Sequence, residues 1–319
     1  MGELGSQALP RPGVTLRAVL LLLGYLLLFP PLFVLGPLAG LLVASRPATL
    51  REWLWIGAAG LWLAVSLWQP GDLASQLTQA WPCFVTAGFV ALMLVGRRRL
   101  VPGALLATIF GLGGATGWIW SLGTRWQDLQ LAVTRLGWEQ CRQLLAEIRA
   151  LSPERAEAAQ VFVDAMAGSV GWIAELFPAL LILAMLPGLA IAWSWYHRLA
   201  ATPVGEPAER FAEFRFTDQL VWGVVLALVA IVLPLPVVLR QPLGNIALVV
   251  GGLYAARGAA IVWGGIGGFP LPVLVIVGIG VIIILPVVLG GCFSLGLADT
   301  WVDFRRRFAV GSERSDRWK

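Results

Sequence analysis

Apolar runs of about twenty residues recur along this chain, and each is long enough to cross the roughly 30 Å hydrocarbon core of a bilayer as an α-helix. Inside lipid no water satisfies backbone N–H and C=O groups, so lipid-facing chain must be helical or form a closed barrel. The runs are continuous and lack the period-two alternation of a barrel strand, which selects helices. Composition points the same way. Of 319 residues, 58% are hydrophobic and only 13% charged, against about 25% charged in soluble domains. A chain this size cannot bury that much apolar surface in a core of its own, so lipid is predicted to solvate much of it.

The first run, Ala18–Ser45, covers 28 residues. That exceeds a signal h-region of about 7–15 residues, and no small-x-small cleavage site follows, so it is read as a retained membrane segment. It contains Pro30, Pro31 and Pro37. Proline removes a backbone donor and clashes with the preceding turn, so the run is expected to form two short helices, Thr15–Phe29 and Leu32–Ser45, folded as a hairpin. Further spans are expected at Arg51–Trp68, Leu77–Val95, Gly103–Gly123, Val170–Tyr196, Asp218–Leu239, Gly244–Trp263 and Leu271–Leu297. The expected fold is an all-α polytopic transmembrane bundle with eight membrane segments, or nine with the hairpin, plus one extramembrane amphipathic helix. Four regions follow: N-terminal transmembrane helices over 1–123, a polar insert over 124–169, C-terminal transmembrane helices over 170–297, and a basic tail over 298–319.

Within the insert, Leu129, Val133, Leu136, Leu144, Ile148 and Leu151 recur at helical spacing, with Arg135, Arg142 and Arg149 largely elsewhere on the wheel. This reads as an amphipathic helix lying on the membrane or on the bundle. Ser152-Pro153-Glu154 then resembles a helix start, with Ser as N-cap and Pro at the first helical position. The five Arg and six acidic residues of Thr124–Ser169 nearly cancel, which argues against strong attraction to anionic lipid.

The net charge is +5, but the basic residues stand in short clusters between apolar runs. That is the signature of loops retained in the cytoplasm rather than of a nucleic-acid surface. Arg46 and Arg51, then Arg97 to Arg99, then His197, Arg198, Arg210 and Arg215 mark three such loops, while Gln69–Gln76 and Gly264–Pro270 carry no basic residue. With the hairpin, these loops and the N-terminus share the cytoplasmic side of the inner membrane and the insert lies outside. The tail, with Arg305, Arg306, Arg307, Arg314, Arg317 and Lys319, would then emerge outside. Either the tail departs from the rule or a late helix is re-entrant or broken; the second reading is favoured, with Pro234, Pro236, Pro286, Gly290 and Gly291 as break points. Ten tryptophans fall near the expected interfaces as belt residues do: Trp53, Trp68, Trp81, Trp118, Trp120, Trp126, Trp172, Trp193, Trp195 and Trp222.

Signatures of catalysis are missing: there is no GxSxG, HExxH or P-loop. Cys83, Cys141 and Cys292 show no CxxC spacing, and the single histidine, His197, sits at a helix end where a basic side chain snorkels or complements the helix dipole. No enzyme activity, metal or cofactor is expected. Arg257 does lie inside a span, where a charge costs at least about 2.5 kcal/mol and must face protein or a cavity. Asp299, Asp303 and Glu175 are its candidate partners, with Arg306 or Arg307 as local alternatives for the two aspartates. Small residues at four-residue spacing, Gly113 with Gly117, and Gly251 with Ala255 and Ala259, let helix backbones approach closely. They are read as helix-packing faces within the monomer or as a docking face for a membrane partner. Gly252, Ala256 and Ala260 repeat the spacing one step on. Arg257 falls on the opposite side from the Gly251/Ala255/Ala259 face, so this helix is expected to have neighbours on both sides.

Three C-terminal stretches carry a resemblance: FAEFRFTDQLVW at Phe211–Trp222, NIALVVGGLYAARGAA from Asn245, and LGLADTWVDFRRR at Leu295–Arg307. Together they resemble the YybS-like family of bacterial membrane proteins, a domain of unknown function. That family typically has an Asn opening the penultimate helix, here Asn245, and a Gln before the Gly where this chain has Arg257. The first 200 residues match it in layout only. The resemblance implies a distant likeness to the substrate-binding S-components of energy-coupling-factor vitamin transporters. The expected function is therefore small-molecule binding related to transport; the alternative is an accessory or scaffold protein of the cell envelope.

Overall fold

The computed structural model describes residues 12–68, 73–96, 99–151, 156–233, 236–266 and 284–302. All regular structure among them is helical: α1 (Pro12–Leu28), α2 (Leu32–Ala44), α3 (Leu50–Trp68), α4 (Leu73–Val90), α5 (Leu100–Ser121), α6 (Trp126–Leu151), α7 (Ala156–Leu199), α8 (Val221–Val232), α9 (Val237–Ile266) and α10 (Leu285–Val302). Four stretches are long and apolar enough to cross a membrane: Leu100–Ser121, Val163–Leu199, Leu239–Gly264 and Leu285–Val302. Val19–Leu28, Leu32–Ala44, Gln79–Val95 and Asp218–Val229 are apolar but shorter. Two compact units share the chain.

One unit holds the described residues of Met1–Gly71, Ser75–Trp118 and Ala184–Pro207. Its first run breaks at the Pro30-Pro31 pair, between α1 and α2. Pro37 sits inside α2 and gives the Phe33 carbonyl no i→i−4 partner. That carbonyl lies against Gly188 of α7, where an added Cβ would come within 2.9 Å of it and 2.6 Å of the Tyr25 hydroxyl. Tyr25 in turn donates to the Ala184 carbonyl at 2.7 Å. Helices α4 and α5 also approach through small residues. A Cβ on Gly111 would overlap the Val85 side chain, and one on Gly114 would meet Phe84 at 2.9 Å. By contrast, Gly113 and Gly117 meet nothing within 4 Å. The expected GxxxG contact is therefore absent within this unit, because those glycines lie on the face of α5 turned away from α4. Trp81 and Trp193 are fully buried, with Trp193 edge-on to Phe89 at 6.2 Å. They are core residues rather than belt residues.

The other unit holds the described residues of Asp72–Ala74, Ile119–Leu183 and Ala208–Lys319. Here α6 folds back along the start of α7: Trp126 stacks on Phe177 at 5.2 Å, Gly137 faces Val170, and Cys141 is buried with Val163 and Val170. The insert thus packs on protein. Leu129 is buried in this seam, while Leu136 and Leu144 remain exposed. The expected boundary at Val170 does not exist. Nothing between Ala156 and Val170 stops a helix, so polar insert and apolar span are one 44-residue helix, about 66 Å long at 1.5 Å per residue. The Ser152-Pro153-Glu154 start lies outside the described residues.

The expected span Asp218–Leu239 is also corrected. Helix α8 stops at Val232, and Leu233 is extended with ψ 139°, as the residue before a proline prefers. Helix α9 starts at Val237, seven residues before the expected Gly244, with Arg240 N–H donating to the Pro236 carbonyl at 3.0 Å. Pro286, Gly290 and Gly291 lie within α10 without interrupting it.

Candidate functional site

The closest helix approach in the second unit is between α9 and α10. A Cβ on Gly258 would overlap the Cys292 carbonyl, and one on Gly296 would overlap the Tyr254 carbonyl. At that crossing the face of α9 turned to α10 carries Tyr254, Arg257 and Gly258, all buried. Arg257 is 4% exposed. Its Nε donates to Asp299 Oδ2 at 2.9 Å, its Nη2 to the Asp299 main-chain carbonyl at 3.3 Å, and its Nη1 to Asp218 Oδ1 at 3.0 Å. The Phe216 ring lies 5.5 Å beneath the guanidinium, within cation–π range, and is edge-on to Tyr254 at 5.1 Å. The two carboxylates differ: the Asp299 side chain is 0% exposed and that of Asp218 is 67% exposed. Arg257 lies seven residues from Gly264, where the spanning stretch ends, so it is about 10 Å below that end.

The structure brings Arg257 and Asp299 together and leaves Glu175 elsewhere. Glu175 has an exposed side chain, and its main-chain carbonyl makes the contacts described below. Asp303, Arg306 and Arg307 lie outside the described residues. The tight face and the charged face of α9 are one face rather than opposite ones: Gly251 meets nothing within 4 Å, and Ala255 and Ala259 are only half-buried. Close packing comes instead from Gly258 and Gly296, which stand on different helices and so form no motif within one run. Asp218 was not foreseen as a partner. Helices α8 and α9 run antiparallel, with Gly223 against Val250, which returns Arg257 to the depth of Asp218.

Asn245 clamps a helix. Pro178 in α7 has no N–H to give the Ala174 carbonyl, and one residue on, the side chain of Asn245 bonds both the Ala179 N–H and the Glu175 carbonyl. Its Oδ1 accepts from the Ala179 N–H at 3.0 Å and its Nδ2 donates to the Glu175 carbonyl at 3.0 Å. Asn245 Nδ2 also donates to the Gln241 carbonyl at 3.0 Å, one turn back on α9.

In the first unit a second polar cluster stands at the loop end of α3, ahead of its apolar run. Thr49 and Glu52 form a reciprocal capping box: the Glu52 N–H donates to Thr49 Oγ1 at 3.3 Å and the Thr49 N–H to Glu52 Oε2 at 2.6 Å. The Ala48 N–H donates to Oε2 at 2.7 Å and the Ala201 N–H to Oε1 at 2.8 Å, so Glu52 ties this helix start to the loop after α7. The Ala201 and Thr49 backbone bonds hold its carboxyl well below the usual carboxylate range, at about 2, against the opposing effect of burial. The Thr-x-x-Glu signature was legible in the sequence and was missed. The same loop is pinned by Trp193 Nε1 donating to the Glu206 carbonyl at 3.0 Å, and His197 sits between the Trp193 and Gly205 carbonyls at 3.0 and 3.3 Å. His197 is therefore engaged with main chain rather than snorkelling.

Two concavities stand apart from Arg257. A cleft of ≈ 470 Å³ at the α5–α6 corner is lined by Thr124, Asp128 and Arg135 among others. An apolar groove of ≈ 350 Å³ on α8 is lined by Leu228, Val229, Val232 and Leu233. Among the described residues no cluster of three or more His, Cys, Asp or Glu side chains could hold a metal. Comparison with protein-family models, with curated proteins and with solved structures returns no match.

Proposed function

We propose that this chain is a multi-pass protein of the bacterial inner membrane that binds a small molecule in connection with transport. In this reading it is a YybS-like protein, similar in layout to the S-components of energy-coupling-factor transporters, and not an enzyme. The shorter apolar helices and α3, with the four stretches of spanning length, make up nine segments, or eight with the first run counted as one, and the basic loops at Arg97 to Arg99 and His197 to Arg215 face the cytoplasm. The observation that supports binding is the Arg257 cluster: a guanidinium inside a spanning helix, held from one side by a buried carboxylate and from the other by an exposed one. Charged residues inside spans are costly, and where they occur they commonly mark pathways or ligand sites.

A second reading, an accessory or scaffold protein acting through a membrane partner, has its own support. The 44 residues of α7 far exceed a roughly 30 Å core, so α6 and the start of α7 extend beyond lipid as a helical hairpin. Gly113, Gly117 and Gly251 present open small-residue faces to the surroundings. Thermal-shift screening of the purified protein against anionic, cationic and neutral metabolites separates the readings. A stabilising compound is expected. No stabilisation by any class, together with a membrane protein captured by in-membrane cross-linking from Gly113 or Gly251, would replace the binding reading with the scaffold one.

A further inference from the structure

Arg257 is unevenly satisfied. Nε, Nη1 and Nη2 each make one hydrogen bond, yet a guanidinium carries five N–H groups. The second N–H on each terminal nitrogen has no partner among the described residues. Two more buried polar groups, the Tyr254 hydroxyl and Thr300 Oγ1, lie next to each other in the same cluster and bond neither Arg257 nor its two aspartates. Tyr254 stands three residues before Arg257 on the same face of α9 and within electrostatic reach of both Arg257 and Asp218. Thr300 follows Asp299 directly. Buried donors are almost always hydrogen-bonded, so the two idle N–H groups of this buried guanidinium call for a partner.

We propose that Arg257 is the floor of a site for a single anionic group, a carboxylate or a phosphate, which replaces Asp218 on Nη1. Asp299 stays in place, fixed by the Nε bond to its side chain and the Nη2 bond to its carbonyl. Asp218 is the resident mimic of the ligand. It makes one bond to Arg257 and is 67% exposed, so it moves into water at little cost when displaced. Arg257 faces two anionic groups before the exchange and two after; a carboxylate matches the charge of Asp218, and a phosphate adds to it. A phosphate or carboxylate offers several acceptors where Asp218 uses one, so it can also engage the idle Nη N–H groups. The inference rests on the binding reading above and adds the ligand class. The anion comes either from a soluble molecule or from a lipid headgroup.

The test uses the full-length protein in dodecylmaltoside, with thermal stability followed against inorganic phosphate and with chloride as the ionic-strength control. Phosphate is expected to stabilise wild type. In Asp218→Asn the resident competitor is gone, and the midpoint concentration is expected to fall about tenfold. Arg257→Gln is expected to lose the response; should that variant not fold, the comparison of Asp218→Asn with wild type decides alone. Nanodiscs with and without phosphatidic acid form the second arm. Stabilisation there without any response to free phosphate assigns the anion to a headgroup, and a response to free phosphate assigns it to a soluble molecule. Equal midpoints in wild type and Asp218→Asn, or no response to either probe, overturn the site. A neutral or cationic compound that stabilises wild type and Arg257→Gln alike would also overturn it, while leaving the binding reading standing.

Discussion

Replacing Gly258 by alanine tests the α9–α10 clasp. The added methyl would overlap the Cys292 carbonyl, which is backbone and cannot swing aside as a side chain would. The helices must separate, and on the same face Arg257 must hold Asp299 across the widened gap with a bond that is now 2.9 Å. Overpacking a tight interior costs about 1–3 kcal/mol, and loss of the buried charge contact adds to this, so a loss of at least about 3 kcal/mol is expected. Gly251→Ala is the control. It lies on the same helix with nothing within 4 Å of its added Cβ, so its effect should stay within about 1 kcal/mol. Unfolding in mixed dodecyl sulfate and dodecylmaltoside micelles, followed by circular dichroism, reads both. Equal stabilities for the two variants would refute the close crossing at Gly258.

Asn245→Ala should strand the Ala179 N–H and the Glu175 carbonyl at the Pro178 turn, costing about 1–3 kcal/mol; hydrogen exchange at the Ala179 amide should quicken, and unchanged protection would contradict the clamp. Because the folded-state pKa of Glu52 is depressed to about 2, its contribution is fully present above the ordinary carboxylate range and is lost as pH falls through about 2. Glu52→Gln should therefore flatten the acid limb of the stability curve below the usual carboxylate pKa, and an unchanged limb would remove Glu52 from that role. In a cysteine-free background, Arg98→Cys should react with a membrane-impermeant maleimide only from the cytoplasmic side and Gln140→Cys only from outside. The reverse pattern would invert the proposed topology.

The parts of the fold written in local chemistry were legible in the sequence. Pro30 and Pro31 break the first run where a paired proline must, and the Pro234/Pro236 break was recognisable even though the span around it was drawn as continuous. The α6–α7 seam was read only in part, because hydropathy reports the solvent of a segment and not where its helix starts. The polar residues from Ala156 to Ser169 and the apolar ones after them obey one helical backbone. Close contacts were the least legible. Glycine spacing shows where an approach is permitted, and the neighbouring helix decides which glycine is used: Gly258 and Gly296 are used, whereas Gly113, Gly117 and Gly251 are not. Arg257 stood out because a charge inside a span demands a partner, and Asp299 was among the partners considered. Asp218 was passed over because it sits at a helix boundary, and Trp193 was assigned to the interface although it packs in the core.

The most direct measurement is a double-mutant cycle on Arg257 and Asp299 in the same micelle assay. Arg257→Leu leaves Asp299 buried and deprived of its cation, and Asp299→Leu removes the buried partner of Arg257; each should cost about 3–5 kcal/mol. Arg257→Gln, which keeps a donor, should be milder than Arg257→Leu. The double Leu variant removes both charges and should lie within about 1–2 kcal/mol of wild type, since a buried ion pair is often replaceable by apolar side chains of similar volume. Strong non-additivity of this kind is the expected result. Additive single losses, or an Arg257→Leu variant as stable as wild type, would mean that Arg257 is not held between Asp299 and Asp218 inside the protein.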